Sequence, residues 1–99
     1  MSNGISEARS QGTFTLNGSS QAGFARNLAR NGLIISVNGA AAGVWLVFQT
    51  NASVAPTASV GAGLFLANGA TLSLVDETNF TGAIAVIGTN TQTFTWVEF

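Results

Sequence analysis

The charged side chains are the first candidates for chemistry, and the chain has few of them. Its 99 residues include three arginines and four acids, with no lysine, histidine, cysteine or tyrosine. General acid–base catalysis needs two titratable groups held close together. Asp76 and Glu77 are adjacent, so they would point in opposite directions on a strand and into water in a turn. The sequence therefore predicts no acid–base pair at this position.

Nucleophilic triads and zinc sites are excluded by residue type. A triad needs a histidine or lysine base, and zinc is bound mainly by cysteine and histidine. Calcium needs clustered oxygen ligands, and residues 76–79 are too few and too unpatterned to supply them. The glycine-containing loops have no neighbouring cation, so they do not indicate a phosphate site. We expect no enzyme activity, no cofactor and no metal.

Glu98 lies among apolar neighbours, and two interpretations are open for it. It could be a buried acid, although no base or nucleophile is near it in the sequence. A salt bridge to Arg26 or Arg30 is the preferred interpretation. With Arg9, these arginines are the only side-chain cations, and arginine's forked donors suit carboxylates across an interface. We predict all three as interface residues, with intramolecular pairing to an acid as the alternative.

The composition points to association. Hydrophobic residues make up 46% of the chain, charged residues 7%, and the net charge is −1. A soluble monomer usually has about 25–35% charged surface residues, so we expect copies of the chain or a partner to cover its apolar patches. A poorly charged monomer is the alternative. No basic region indicates nucleic acid, and no apolar run reaches the roughly 18 residues that span a membrane. The polar N-terminus does not resemble a signal peptide.

Turn signals divide the chain into short segments with strand patterns. Residues 1–12 are rich in serine, glycine and asparagine and are predicted as an arm, and residues 13–99 as one folded domain. Alternation and β-branched content predict strands within residues 13–16, 33–37, 44–49, 60–66, 71–75, 81–87 and 91–99. About seven short strands predict an antiparallel β-sandwich or barrel with jelly-roll or Greek-key connections.

Three segments carry more specific predictions. Residues 19–30 fit a loop with at most one helical turn, and an additional strand fits nearly as well. Residues 80–99 predict one β-hairpin that turns at residues 88–90. Residues 44–49 (VWLVFQ) are apolar on both faces, which is typical of a central strand or of one buried in an interface.

The double-faced strand and the loop that follows it supply the other candidate interface residues. Trp45 and Val47 are predicted to line a subunit contact, and for Trp45 and Trp96 core packing is preferred to stacking on a sugar. Pro56 lies in the polar loop 50–59, whose length is typical of loops that make contacts. An exposed tryptophan could also stack on a sugar.

Several motifs recur in a characteristic order: RNGLIISVNG, VWLVFQ, GAGLFLANGATLSL, FTGAIAVIG and a terminal TFTWVEF. This order resembles the small all-β virion proteins of tailed bacteriophages over about residues 30–99. In that family an arginine precedes an L-I-x-N strand, a G-x-x-L-x-x-G turn precedes another strand, and a T-G-A-I strand leads to a final acid-containing strand. Asn68 stands where the family's turn usually has a proline. The matching positions are Arg30, Leu33, Asn38, Gly63, Leu66, Gly69, Thr81, Gly82, Ala83, Ile84 and Glu98.

The resemblance implies a structural role. Such proteins decorate or cement the outside of the icosahedral head, often as homotrimers, and contact the major capsid protein or another virion protein. The expected location is the virion surface, after assembly in the host cytoplasm, with the arm lying along the capsid. A collar, tail or fibre component is a close alternative. A small carbohydrate-binding β-sandwich module is an alternative from another class.

Overall fold

The computed structural model describes residues 10–39 and 42–99, and these form eight β-strands and one 3-10 turn. The strands are β1 (Ser10–Thr15), β2 (Gln21–Phe24), β3 (Gly32–Asn38), β4 (Gly43–Phe48), β5 (Leu64–Ala67), β6 (Thr71–Val75), β7 (Ile84–Gly88) and β8 (Thr93–Glu98), and the 3-10 turn is Asp76–Thr78. Among the described residues, no helix has the length and apolar character needed to cross a bilayer.

The strands form two four-stranded antiparallel sheets, a first sheet of order β1-β8-β3-β6 and a second of order β2-β7-β4-β5. The first strand pairs with the last, the second with the seventh, the third with the sixth and the fourth with the fifth. Contacts of β3 with β8 and of β4 with β7 join these pairs into the two sheets. This is the strand order of a jelly roll, and the predicted antiparallel β-sandwich is confirmed.

The predicted C-terminal hairpin is wrong, because its two strands belong to different sheets. β7 lies between β2 and β4, whereas β8 lies between β1 and β3. The connection crosses the sandwich at Thr91, whose φ of 74° is left-handed. Its N–H donates to the Leu16 carbonyl at 2.9 Å, and the Leu16 N–H donates to the Gln92 carbonyl at 2.8 Å. Local alternation identifies a strand, but the packing of the core selects its partner.

Two boundaries also differ from the sequence predictions. Residues 19–30 contain β2, so the extra strand that was the alternative prediction is the one present. β2 pairs with β7 through a register shift between Ala22 and Phe24. β1 begins at Ser10, so residues 10–12, predicted as the end of the arm, belong to the first sheet. The rest of the predicted arm, residues 1–9, lies outside the described residues.

The inward faces of the two sheets make one hydrophobic core. Phe94 of β8 is its largest fully buried side chain, stacking on Phe14 at a ring-centroid distance of 5.0 Å and meeting Phe24 at 5.9 Å. Phe24 also makes an edge contact with Trp96 at 5.7 Å. Each such pair contributes roughly 0.5–1.5 kcal/mol beyond the area it buries. Trp96 packs against this core, whereas Trp45 lies outside it, so the core role predicted for Trp45 is wrong. The buried aliphatic members are Leu16, Leu33, Ile35, Val37, Val44, Leu46, Leu66, Ile84 and Val86.

One end of the sandwich closes around a buried ion pair. Arg30 is 2% exposed, and its Nε donates to Oε2 of Glu98 at 2.6 Å. The other guanidinium nitrogens donate to three backbone carbonyls, those of Phe80 at 2.8 Å, Gly82 at 3.1 Å and Ala25 at 2.7 Å. The Arg30 side chain therefore joins the end of β8 to two connections, the one between β2 and β3 and the one between β6 and β7. The predicted salt bridge of Glu98 is confirmed, with Arg30 as its partner.

Removing Arg30 should be strongly destabilising. We expect Arg30→Met to lower the free energy of unfolding by about 3–5 kcal/mol, because Glu98 stays largely buried without its cation and three carbonyls lose their donor. Denaturant titration followed by tryptophan fluorescence measures this change. The double variant Arg30→Met/Glu98→Leu should recover part of the loss, since it removes the unpaired charge.

Arg26→Met is the matched control, because Arg26 is exposed on the same connection between β2 and β3. We expect it to change the stability by no more than about 0.5 kcal/mol. Equal effects of the two arginine substitutions would contradict the importance of the buried pair.

Candidate functional site

The outer face of the second sheet carries apolar side chains that the core does not use. Val44 and Leu46 of β4 are fully buried between the sheets, so Trp45 and Val47 alternate with them and face outward. β4 is a central strand, paired with β7 on one side and β5 on the other. The prediction from its two apolar faces is therefore confirmed for the strand's central position, and the outer face needs a second cover.

The connection between β4 and β5, residues 49–63, covers part of this face. Gln49 fixes its start, because its Oε1 accepts the Ala83 N–H at 2.9 Å and its Nε2 donates to the Val54 carbonyl at 3.1 Å. Further along, the Ala58 N–H donates to Oγ of Ser20 at 2.8 Å, beside the edge strand β2. The connection thus crosses the sheet from its central strand β4 to its far edge.

Ala85 shows that this cover is effective. Ala85 pairs with Val47 in the register of β4 with β7. Its neighbours Ile84 and Val86 face the core, so Ala85 faces outward, as Val47 does. Ala85 is nevertheless only 1% exposed. Val47 and Pro56 line a cavity of about 500 Å³ between β4 and residues 50–57 of the connection. These two predicted interface residues therefore line the same cavity, Val47 from the strand and Pro56 from the covering loop.

The return of the connection to β5 depends on Gly63. Its φ is +82°, and a Cβ there would overlap the carbonyl oxygen of Leu46. Gly61 has a similar φ of +88°, but a Cβ there would meet nothing within 4 Å. Both positions need a left-handed backbone, and Gly63 alone also needs the absence of a side chain.

These two glycines give a matched test of the loop. Gly61→Ala should cost roughly 1–2 kcal/mol from its left-handed backbone alone. Gly63→Ala should cost roughly 1–3 kcal/mol more, because it also forces the connection away from β4. Thermal or denaturant unfolding measures both values. Equal losses for the two variants would show that the connection does not pack tightly against β4.

One part of the outer face stays uncovered. Trp45 packs against Phe65 of β5 at a ring-centroid distance of 4.9 Å, and Phe65 is 41% exposed. Val60, at the edge of the covering loop, is 74% exposed. Trp45, Val60 and Phe65, which we call the aromatic corner, border a shallow cavity of about 280 Å³ that glycines also line. The corner therefore presents exposed apolar side chains to solvent on the outer face of the second sheet.

Sequence reasoning missed Phe65 and Val60 as members of this corner. Phe65 becomes a neighbour of Trp45 only through the pairing of β4 with β5, which lie a long connection apart. Its ring also covers the backbone of Gly43, where a Cβ would stand 2.7 Å from Cζ of Phe65. Gly43 lies opposite Ala67 in this pairing, and its lack of a side chain leaves room for the ring of Phe65 on the diagonal.

The charges of the described residues lie together at the other end of the sandwich. Arg26 lies in the connection between β2 and β3, and Asp76 and Glu77 in the 3-10 turn after β6. The two connections meet there, since the Asn27 N–H donates to the Thr81 carbonyl at 2.8 Å. This charged end also contains the buried pair described above. The two sheet faces and the aromatic corner are therefore uncharged over the described residues.

The predicted interface residues do not form one surface. Trp45 lies at the aromatic corner, whereas Arg26 is exposed at the charged end. Arg30 takes its alternative role, because its guanidinium is buried and bonded within the chain to Glu98. Arg9 lies outside the described residues. At the aromatic corner, an exposed apolar surface includes the predicted interface residue Trp45.

The described residues contain no cluster of three histidine, cysteine or acidic side chains suited to a metal ion. Comparison of the chain with protein-family models, curated proteins and solved structures finds no significant match. The resemblance to phage virion proteins therefore stays a prediction.

Proposed function

We propose that the chain is a structural virion protein of a tailed bacteriophage, and specifically a decoration protein that binds the outside of the head and stabilises it. The observation that carries this proposal is the aromatic corner, whose surroundings among the described residues carry no charge. Interface centres are enriched in aromatic residues and depleted of charge. Trp45 and Phe65 pack on each other, and the Phe65 ring lies over the backbone of Gly43, so their rings have less rotamer freedom to lose on binding.

The fold and the sequence motifs support the same role by analogy. Jelly rolls are common among viral capsid proteins, although the fold alone does not determine function. The motifs from Arg30 to Glu98 resemble those of small virion proteins. A decoration protein needs no strong single site, because many copies on one lattice gain avidity from geometry. A modest apolar contact such as this corner suits that requirement.

The charge distribution suggests an orientation on the head. The aromatic corner and the neutral sheet faces would contact the capsid and neighbouring subunits, which avoids burying charge. Arg26, Asp76 and Glu77 would then face solvent, where ionised side chains are least costly. A collar, tail or fibre location would use the same surfaces on a different partner.

Virions of the phage that encodes the chain should contain it on the head surface in a fixed ratio to the major capsid protein. Quantitative mass spectrometry and immunogold labelling measure the ratio and the location. In heads that lack the protein, added wild-type protein should restore the decoration. Virions without the chain would overturn the proposal, and label on the tail alone would favour the collar or tail alternative.

The matched variants for this reconstitution are Val60→Ser and Leu28→Ser. Val60 belongs to the aromatic corner and is 74% exposed, whereas Leu28 lies at the charged end and is 71% exposed. Loss of one buried aliphatic contact is worth about 1.5–3 kcal/mol, so Val60→Ser should weaken binding to heads about tenfold or more. Leu28→Ser should bind as the wild type does. The reverse result would place the contact at the charged end.

The exposed aromatic pair also favours a second candidate, a carbohydrate-binding module. Sugars stack on aromatic faces, but a specific site also needs several polar groups. Thr89 is the single hydroxyl-bearing side chain among the described residues that line the cavity at the corner. The sugar alternative is therefore the weaker of the two.

Tryptophan fluorescence separates the candidates. In Trp96→Phe, Trp45 is the sole fluorophore, and we expect acrylamide to quench it while a panel of bacterial oligosaccharides leaves its emission unchanged. Trp45→Phe is the control that reports the core residue Trp96. Saturable quenching by one oligosaccharide, seen with Trp45 and absent from the control, would favour the carbohydrate-binding function.

A further inference from the structure

The four edge strands of the sandwich differ in how they are protected. An edge strand presents unpaired N–H and C=O groups that can pair with another chain, and natural proteins usually block them. The edges here are β1 and β6 in the first sheet and β2 and β5 in the second. Comparing them shows which edge is available to a partner.

The C-terminal end of the β6 edge is blocked by the chain's own continuation. Oγ1 of Thr78 accepts the Val75 N–H at 3.2 Å and donates to the Val75 carbonyl at 2.9 Å. Asp76 then turns the chain with a φ of 52° and places two carboxylates, its own and that of Glu77, at the end of the strand. An incoming strand would meet an occupied backbone and negative charge.

The two edges of the second sheet are short or irregular. β5 has four residues, and the carbonyl of its last residue, Ala67, accepts the Ala70 N–H at 2.9 Å. β2 also has four residues, and its register with β7 shifts between Ala22 and Phe24. Short strands and bulges are two of the devices that discourage edge pairing.

β1 has none of these devices. It is six residues long, SQGTFT, without charge or proline, and it pairs with β8 in an unbroken register from Ser10 to Thr15. It is the longest of the four edges. No described residue outside the first sheet bonds to it.

The hydrogen bonds at the end of β1 show which of its backbone groups point outward. Leu16, directly after the strand, uses both its N–H and its C=O toward β8, with Gln92 and Thr91. Backbone groups alternate along an antiparallel strand, so every second residue from Leu16 also faces β8. The remaining residues, Gln11, Thr13 and Thr15, therefore point their N–H and C=O groups to the open edge.

We propose that β1 pairs with β1 of a second copy of this chain, antiparallel about a two-fold axis at Thr13. Thr13 then lies opposite Thr13 of the second copy, and Gln11 opposite its Thr15. A two-fold contact uses the same surface twice, so the surface must be self-complementary. Three uncharged residues placed symmetrically about Thr13 meet this condition, and the chain's net charge of −1 gives little repulsion between copies.

The pairing extends the first sheet across the dimer. Thr13 lies level with Thr95 of β8, Ser36 of β3 and Thr71 of β6 on the outer face, so it belongs to a row of hydroxyl side chains. The two-fold axis continues this row into the second copy. A two-fold contact at β1 produces a dimer, whereas the family resemblance implies a trimer.

This inference names the self-contact of the proposed virion subunit and in that sense rests on the proposed function. Its test uses the purified full-length chain without heads. Failure of strand pairing and failure of head binding are therefore separate results. The aromatic corner lies on the other sheet and stays free in the dimer.

Thr13→Pro and Thr13→Val are the first pair of variants. Proline removes the outward N–H and is tolerated on an edge strand whose N–H faces solvent, whereas valine keeps the N–H and the β-branched shape. Light scattering should give a dimer for the wild type and for Thr13→Val, and a monomer for Thr13→Pro. A monomeric wild type at high concentration, or a dimer of folded Thr13→Pro, would overturn the inference.

Charge variants test the register and do not depend on the tolerance for proline. Because Thr13 faces its own copy, Thr13→Lys alone and Thr13→Glu alone should each dimerise at least tenfold more weakly than the wild type. A mixture of the two should form a heterodimer, since lysine then lies opposite glutamate. Homodimers of either variant as tight as those of the wild type would show that the contact lies elsewhere.

Discussion

The buried pair of Arg30 and Glu98 constrains more of this structure than any other contact. β8 is a central strand of the first sheet, and its side chains Phe94 and Trp96 face the core on the same side as Glu98. A slip of one residue would turn all three outward. A slip of two residues would leave these side chains on the inward face but would move Glu98 by about 7 Å relative to the guanidinium. The ion pair therefore forms in one register of β8 and is lost in the neighbouring registers.

The pair is stable in the interior because its surroundings complete the hydrogen bonding. Three carbonyls accept from the guanidinium, and the carbonyl of Arg30 itself accepts from Nδ2 of Asn79 at 2.7 Å. Backbone bonds between Phe99 and residues Asn31 and Gly32 close the same end, at 2.8 and 2.9 Å. A buried ion pair often adds little net stability, so specificity of register is the role that this geometry supports. The other charges of the described residues lie at this same end, and the sheet faces among these residues are neutral.

Much of the fold could be predicted from local patterns. Alternation located seven of the eight strands, and the scarcity of cations made a partner for Glu98 easy to propose. The hairpin at residues 80–99 could not be judged in this way, since the alternation of β7 and β8 is equally compatible with one sheet or two. Their separation depends on the chain crossing between the sheets at Thr91 and Gln92. The aromatic corner could not be predicted for a similar reason, because Phe65 becomes a neighbour of Trp45 only after a long loop has crossed the sheet.

The contrast among the four edges is more informative than any one edge alone. A left-handed Asp76 costs backbone strain, a bulge in β2 gives up regular pairing, and a four-residue β5 forgoes hydrogen bonds. These losses of stability make sense where an unpaired edge is a liability in a chain with almost no charge to keep copies apart. The same sequence leaves β1 long, regular and uncharged, although a single lysine or proline would have blocked it. An edge left open under these conditions is one at which pairing with another strand is tolerated or used.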